Sequence, residues 1–379
     1  MHADLFFYRF FDRVGRELTV GGVQTYIRSL VELLADLGHK PVLYQLADAD
    51  FERDVDGLRV IGVRASGVRP DPLVREADRR APPGDRIRVF CADHFSLRTS
   101  DPRSVLIQHG VSWDLPTRLT SNRTVFHARY LSTFWKYVRM PKYARLFENC
   151  PNKVCVDHNF LNWYRCVLGR VPRGNIWVIP NFADAIDERQ LEEKLSRSGT
   201  KLKVLFARRF RAIRGTRLMV PLVRSVLKKC NDVSFTLAGE GPDEGFLRES
   251  LEGDSRVSFI KYASADAGDI CSRHDIVIVP SIASEGTSLS VAEGMASGCA
   301  VVATNVGGIT NMIIDSHNGL LCTPELATLE ANLLLAIGDH DLRRRIARNA
   351  HRTAVDAFSR ELWRDRWSEV IGELARRQR

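Results

Sequence analysis

The sequence holds 379 residues, 44% of them hydrophobic and 27% charged, with a formal net charge of +9. That length accommodates two or three domains with cores of their own, and the composition excludes a disordered chain and a coiled coil. The basic balance favours acidic partners without choosing among nucleotides, anionic lipids and nucleic acid.

In chain order, Leu5-Phe6-Phe7-Tyr8 predicts a strand. Gly21-Gly22 then stands at the head of a helix carrying Val23, Ile27, Leu30, Val31, Leu34 and Leu37 at helical spacing, stopped by Gly38. A glycine pair there suits either a tight turn or a backbone approached by a ligand phosphate. Strands follow at Val42–Gln45, Leu58–Val63, Ile87–Cys91 and Val105–Gln108, with a loop at Pro82-Pro83-Gly84. Asp48-Ala-Asp50 is an isolated D-x-D, read as a solvated turn rather than a metal site. His109 ends one strand at a carboxyl edge, where ligands gather in such sheets, and His94 is a competing histidine.

Between Arg118 and Lys153 eight basic residues meet a single acid, Glu148, with aromatic residues interleaved. Such a stretch fits an interface with anionic lipid or a phosphorylated acceptor, a nucleic-acid surface, or a solvated helix face. Val154–Val156 and Ile176–Pro180 close a first half, and the polar run Asp187–Thr200 reads as a linker. A second alternation of strands and helices runs through Leu202–Phe206, Val233–Leu237, Val257–Ile260, Ile276–Val279, Ala300–Ala303 and Leu320–Cys322. Helices at Leu326–Ile337 and Leu342–Ala350 follow, with a final amphipathic helix bearing Trp363, Trp367, Val370, Ile371 and Leu374. Eight cysteines form no C-x-x-C pair, and several lie in apolar runs, so reduced core thiols are expected. With no charged-then-apolar leader and no long apolar run, a cytoplasmic location is expected.

The most informative stretch is Pro280–Gly308, a strand, small-residue loop, helix and second strand that together imply a parallel βαβ unit. Glu285 falls in the loop and Glu293 about a turn and a half into the helix that follows, up to about 12 Å away at roughly 1.5 Å per residue. The intervening amides of Gly286, Thr287, Ser288 and Leu289 lie at a helix N-terminus, a place for anions or sugar oxygens. A nucleotide-diphosphate sugar has the matching layout of hydroxyls at both ends and charge between. The alternative is a pair of solvated glutamates, which the small apolar neighbours of Glu293 disfavour.

The E-x7-E spacing, the following Gly294-Met-Ala-Ser-Gly-Cys-Ala-Val-Val-Ala-Thr304 and Val306-Gly-Gly-Ile309 resemble the donor-site signature of family-4 retaining glycosyltransferases of the GT-B fold. The resemblance implies two Rossmann-like doubly wound parallel-sheet α/β domains facing a cleft. Their expected bounds are 1–182 and 201–357, with a linker at 183–200 and a C-terminal helix, 358–379, crossing back. It assigns Glu285 to sugar hydroxyls, Glu293 to ribose, Gly21 and Gly22 to the donor phosphates, and His109 to the transferred sugar. In Ala207-Arg-Arg-Phe-Arg-Ala-Ile-Arg-Gly215, Arg209 matches the family's arginine and Arg214 stands for its lysine. Arg208 replaces a glycine there, as Ser288 does in the loop. Gly239 and Gly241 resemble the loop beside the base.

The implied reaction transfers a sugar from a nucleotide-diphosphate sugar to a glycan or lipid-linked acceptor hydroxyl with retention. It needs no metal or other cofactor, serves cell-surface polysaccharide or lipopolysaccharide synthesis, and takes place at the inner face of the membrane, touched through Arg118–Lys153. Nucleic acid is not expected as a partner. A non-catalytic nucleotide-sugar-binding subunit and an epimerase or hydrolase on the same fold are the alternatives.

Overall fold

The computed structural model describes residues 1–19, 21–80, 86–111, 127–197 and 201–377. The loop expected at 82–84 and the part of the basic stretch from 118 to 126 lie outside them. The chain forms two compact units: Met1–His109, Trp135–Ile179 and Arg364–Arg379, and Gly110–Phe134 with Pro180–Trp363.

The first unit holds β1 (His2–Phe7), α1 (Gly22–Asp36), β2 (Lys40–Ala47), β3 (Phe51–Val55), β4 (Leu58–Arg64), α2 (Asp71–Arg80), β5 (Arg86–Phe90), β6 (Ser104–Gln108), α3 (His127–Phe147) from Trp135 onward, β7 (Asn152–Cys155), α4 (Asn159–Leu168) and β8 (Asn175–Val178). Its sheet runs β3-β4-β2-β1-β5-β6-β7-β8, parallel except for β3 against β4. Strand β3 escapes the sequence reading because Phe-Glu-Arg-Asp-Val shows no apolar alternation. Only its Asp56-Gly57 turn, with φ of 52° and 77°, marks the hairpin. The expected D-x-D turn is occupied by the protein itself, Asp48 pairing with Arg13 at 2.6 Å and Asp50 accepting from the Arg64 amide at 2.6 Å.

The second unit holds α5 (Glu188–Leu195), β9 (Leu202–Ala207), α6 (Thr216–Lys229), β10 (Val233–Ala238), α7 (Glu244–Leu251), β11 (Val257–Ile260), α8 (Ala267–Ser272), β12 (Ile276–Val279), α9 (Leu289–Ala296), β13 (Ala300–Thr304), β14 (Leu320–Cys322), α10 (Leu326–Gly338) and α11 (His340–Ala357). Its all-parallel sheet runs β11-β10-β9-β12-β13-β14. Strands β12 and β13 are buried along their whole length, which is why they read as unbroken apolar runs, whereas β10 and β11 carry less buried polar positions such as Thr236 and Ser258. Val204 and Phe206 enter one core with α6 and α10, while Leu205 and Ala207 enter the other with α9 and α11.

The segment expected as a linker, 183–200, is structured through residue 197. Asp187 and Gln190 form a capping box at the head of α5, and Leu191 and Leu195 pack into the core of the second unit. Two leucines four residues apart are enough to anchor a short helix whose other residues are polar. Buried Lys194 strengthens the attachment, donating to the Ser297 carbonyl at 2.7 Å. Helix α12 (Arg360–Arg376) belongs to the first unit from Arg364 onward. There Trp367 donates through Nε1 to Tyr26 Oη at 2.6 Å, and Arg364 pairs with Asp36 at 2.6 Å.

Candidate functional site

The carboxyl ends of β9, β10 and β12 carry the loops that build the site in the second unit. Between the β9 and β10 loops the backbones run side by side, the Arg208 amide donating to Ala238 O at 2.9 Å and the Phe210 amide to Glu240 O at 2.8 Å. That closeness dictates Gly239: its φ is 141°, and a Cβ there would lie 2.1 Å from the Arg208 carbonyl oxygen. Gly241 meets the Phe210 carbonyl in the same way. Gly307, with φ of 56°, similarly lets the turn after β13 close on Glu285, whose carbonyl accepts from the Gly308 amide at 2.7 Å.

Glu285 is buried and fully engaged. Arg208 donates through Nη2 to its Oε1 at 2.6 Å, Ser281 Oγ donates to the same oxygen, and Arg214 reaches Oε2 at 2.6 Å. Arg208 also donates to Ser281 Oγ at 2.5 Å. Burial works to raise the Glu285 pKa, but the two guanidinium groups and the serine hold it well below the usual carboxylate range. The carboxylate is therefore a fixed anion, formed where adjacent strands β9 and β12 end.

Glu293, eight residues on and inside α9, has the opposite surroundings. Among the described residues its carboxylate has no hydrogen-bond or ion-pair partner, and burial pushes its pKa up to about 7, with Arg208 pulling the other way. Tyr262 faces it, and the Tyr262 hydroxyl is pushed up by burial first and by Glu293 second. A half-buried acceptor without a protein donor can receive hydroxyl groups from a ligand.

Of the loop residues, Gly286 lies where the Gly110 backbone approaches, a Cβ on Gly110 falling 2.5 Å from the Gly286 nitrogen. Thr287 Oγ1 accepts from the Asn181 amide at 2.8 Å, and Asn181 Nδ2 donates to the Thr287 carbonyl. Ser288 precedes α9 and its amide is committed to Met312 Sδ at 3.2 Å, so that amide, expected to face a ligand, serves packing instead. Leu289 opens the helix. Arg209 is exposed, and it is Arg208 that the structure brings to Glu285.

In the first unit Gly21 precedes α1 and Gly22 opens it; the helix has no side-chain cap and no acidic residue in its first turn. His109 follows β6, contacts the Cys91 carbonyl through Nε2 at 3.0 Å and packs edge-on against Tyr26. Burial pushes its pKa down to about 4, against a smaller opposing contribution from that hydrogen bond, so its imidazole is neutral around pH 7. His94 is more exposed and lies beside the Tyr8 ring.

Three contributors escape sequence reasoning: Arg208, Ser281 and Asn181. Arg208 had a signal, a second arginine in a position where the resembling motif has glycine, but consecutive residues leaving a strand diverge to different sides. Asn181 had none, since it acts through Thr287, far off in sequence, and Ser281, although it stands just before Glu285, carries no pattern that marks it as that carboxylate's donor.

Comparison with known proteins places this geometry. Residues 201–339 match the family model described as glycosyl transferases group 1, and residues 20–186 match glycosyltransferase family 4. An uncharacterized glycosyltransferase, MJ1178, of Methanocaldococcus jannaschii is 29% identical over 154 residues, 38% of this chain and 41% of its own. The alpha-D-kanosaminyltransferase of Streptomyces kanamyceticus is 26% identical over 51% of this chain and 52% of its own. These two matches span about half or less of the relatives' lengths. The phosphatidyl-myo-inositol mannosyltransferase of Mycolicibacterium smegmatis is 24% identical over 94% of this chain and 89% of its own.

Among solved structures, sucrose-phosphate synthase from Thermosynechococcus elongatus superposes with a TM-score of 0.72 at 18% identity, covering 98% of both chains. Anabaena Alr3699/HepE, solved with UDP-glucose, gives 0.69 at 16% identity over 98% of this chain and 99% of its own. The two family matches together take in most of the chain and the fold agrees along its length, so the protein belongs to the family-4-type glycosyltransferases of the GT-B fold.

Proposed function

We propose that the protein is a retaining glycosyltransferase that moves a sugar from a nucleoside-diphosphate sugar to an acceptor hydroxyl. The observation that carries this is the pair of carboxylates in the second unit: Glu285 held as an anion between two arginines, and Glu293 left without a partner among the described residues. Glu285 receives hydroxyls of the transferred sugar and Glu293 those of the ribose. In the second unit Arg209 and Arg214 take up the diphosphate charge, while Gly239 and Gly241 line the base.

In the transfer, the bond between the anomeric carbon and the phosphate oxygen breaks. The acceptor oxygen then bonds to the same face of that carbon, and its proton passes to the departing phosphate. Cationic side chains stabilise the charge released, the role a divalent metal fills in other transferases. A uridine donor is supported by Anabaena HepE, solved with UDP-glucose, and a lipid-linked acceptor by the relative named for phosphatidyl-myo-inositol.

A role in cell-surface glycan synthesis at the inner membrane face is proposed on the same ground, with support from α3, whose Tyr137, Val138, Arg139, Lys142 and Arg145 are exposed. No helix among the described residues is long and apolar enough to cross a membrane. The test incubates the purified chain with labelled UDP- and GDP-sugars and an acceptor lipid extract, and determines the product anomer by NMR. Transfer with retained configuration supports the proposal. Binding without transfer, or conversion without acceptor, replaces it with a binding subunit or with an epimerase or hydrolase.

A further inference from the structure

Two arginines contact Glu285, and they are not equivalent. The Arg208 side chain is 4% exposed and tied to both Glu285 and Ser281, whereas that of Arg214 is 36% exposed and touches only the outer oxygen, Oε2. Oε1 is filled, receiving Arg208 Nη2 and Ser281 Oγ at once. In this state Glu285 has little left for a sugar.

A donor brings a diphosphate of about two negative charges to this edge, and the accessible cation it can recruit from Glu285 is Arg214. Were Arg214 the carboxylate's only cation, that recruitment would strand a buried anion beside a second anion, which is strongly disfavoured. From this geometry we infer that Arg208 is a positioning residue for sugar transfer: it keeps Glu285 ionised and oriented while Arg214 exchanges from Glu285 to the donor diphosphate, freeing Oε2 for the sugar hydroxyl. The inference rests on the donor site proposed above.

Arg208 acts on both carboxylates of the site. The groups facing it are Glu285, Arg214, Tyr262 and Glu293, and it lowers the proton affinity of each glutamate. Its Nε is buried without a partner among the described residues, so the side chain is held by its two Nη contacts and its charge is not spent elsewhere.

The test uses the full chain with Arg208→Lys, Arg208→Gly and the double variant Arg208→Gly/Glu285→Gln. Thermal unfolding is followed at pH 5 and pH 8, and UDP and UDP-glucose binding by calorimetry from pH 5.5 to 8.5. Arg208→Gly should lose more stability at pH 8 than at pH 5, with Glu285→Gln abolishing that difference. It should bind UDP within a few-fold of wild type yet lose about tenfold or more of its UDP-glucose affinity, the worth of one charged hydrogen bond. Its binding profile should also shift to higher pH, while Arg208→Lys keeps the wild-type profile.

Equal losses at both pH values with unchanged discrimination between UDP and UDP-glucose overturn the inference and leave Arg208 a packing residue. If the wild-type chain binds neither ligand, the donor-site reading fails, and the unfolding arm still decides whether Arg208 holds Glu285 ionised. If Arg208→Gly does not fold, Arg208→Lys decides: it must keep the wild-type pH profile, and an altered profile counts against the inference.

Discussion

Replacing Glu293 by glutamine removes a carboxylate that the fold holds against its own solvation. A pKa raised from 4.5 to about 7 corresponds to a penalty of about 3 kcal/mol for carrying the charge in the folded state. The raised value means the folded protein binds a proton that the unfolded chain has already released. The penalty is therefore absent below about pH 4.5, grows between there and pH 7, and is complete above pH 7. Because Glu293 keeps part of its surface exposed, the measurable difference is expected at about 1–3 kcal/mol. Glu293→Gln should thus gain stability relative to wild type between pH 5 and pH 8.5, seen as a few degrees in thermal unfolding. Any cost of burying an amide is the same at both pH values and cancels in the comparison. The same variant should lose about tenfold or more in UDP-sugar affinity, and wild-type affinity should fall as pH drops through 7. A Glu293→Gln variant whose stability relative to wild type is the same at pH 5 and 8.5, or which binds donor as tightly as wild type, refutes this account.

Glu285→Ala strands Arg208 in the interior and should cost about 3–5 kcal/mol in denaturant unfolding. Glu285→Gln should fold and lose at least about a hundredfold in transfer rate, and unimpaired turnover would remove Glu285 from the mechanism. Gly239→Ala forces a Cβ onto the Arg208 carbonyl at positive φ and should destabilise by several kcal/mol, read from its melting temperature. Leu191→Ala empties part of the core beneath α5 and should cost about 2–5 kcal/mol; a silent substitution would restore residues 183–197 to a linker role. Transfer should persist in excess EDTA, and a loss reversed by magnesium would contradict metal-independent charge stabilisation.

Much of the fold is legible in the sequence because its signals are local. The apolar runs Ile276–Val279 and Ala300–Thr304 read as strands since each is buried on both faces. Gly38, with φ of 78°, closes α1 where the helical spacing ends. The spacing of Glu285 and Glu293 likewise places both on one loop and the helix after it. Charge hides structure where the local pattern is polar: β3 is recognisable only from its Asp-Gly turn, and α5 only from two leucines and a capping box.

What the amino-acid order alone determined is where strands end, where glycine must stand, and that two carboxylates lie eight residues apart at a carboxyl edge. Which arginine meets Glu285 was decided by the tertiary structure. Arg208 and Arg209 are chemically identical and adjacent, and only the pairing of β9 with β12 turns the first toward Ser281 and Glu285. The opposite directions in which the two glutamates' proton affinities move were decided there too, because a carboxylate's charge depends on which cations and how much water the fold leaves around it.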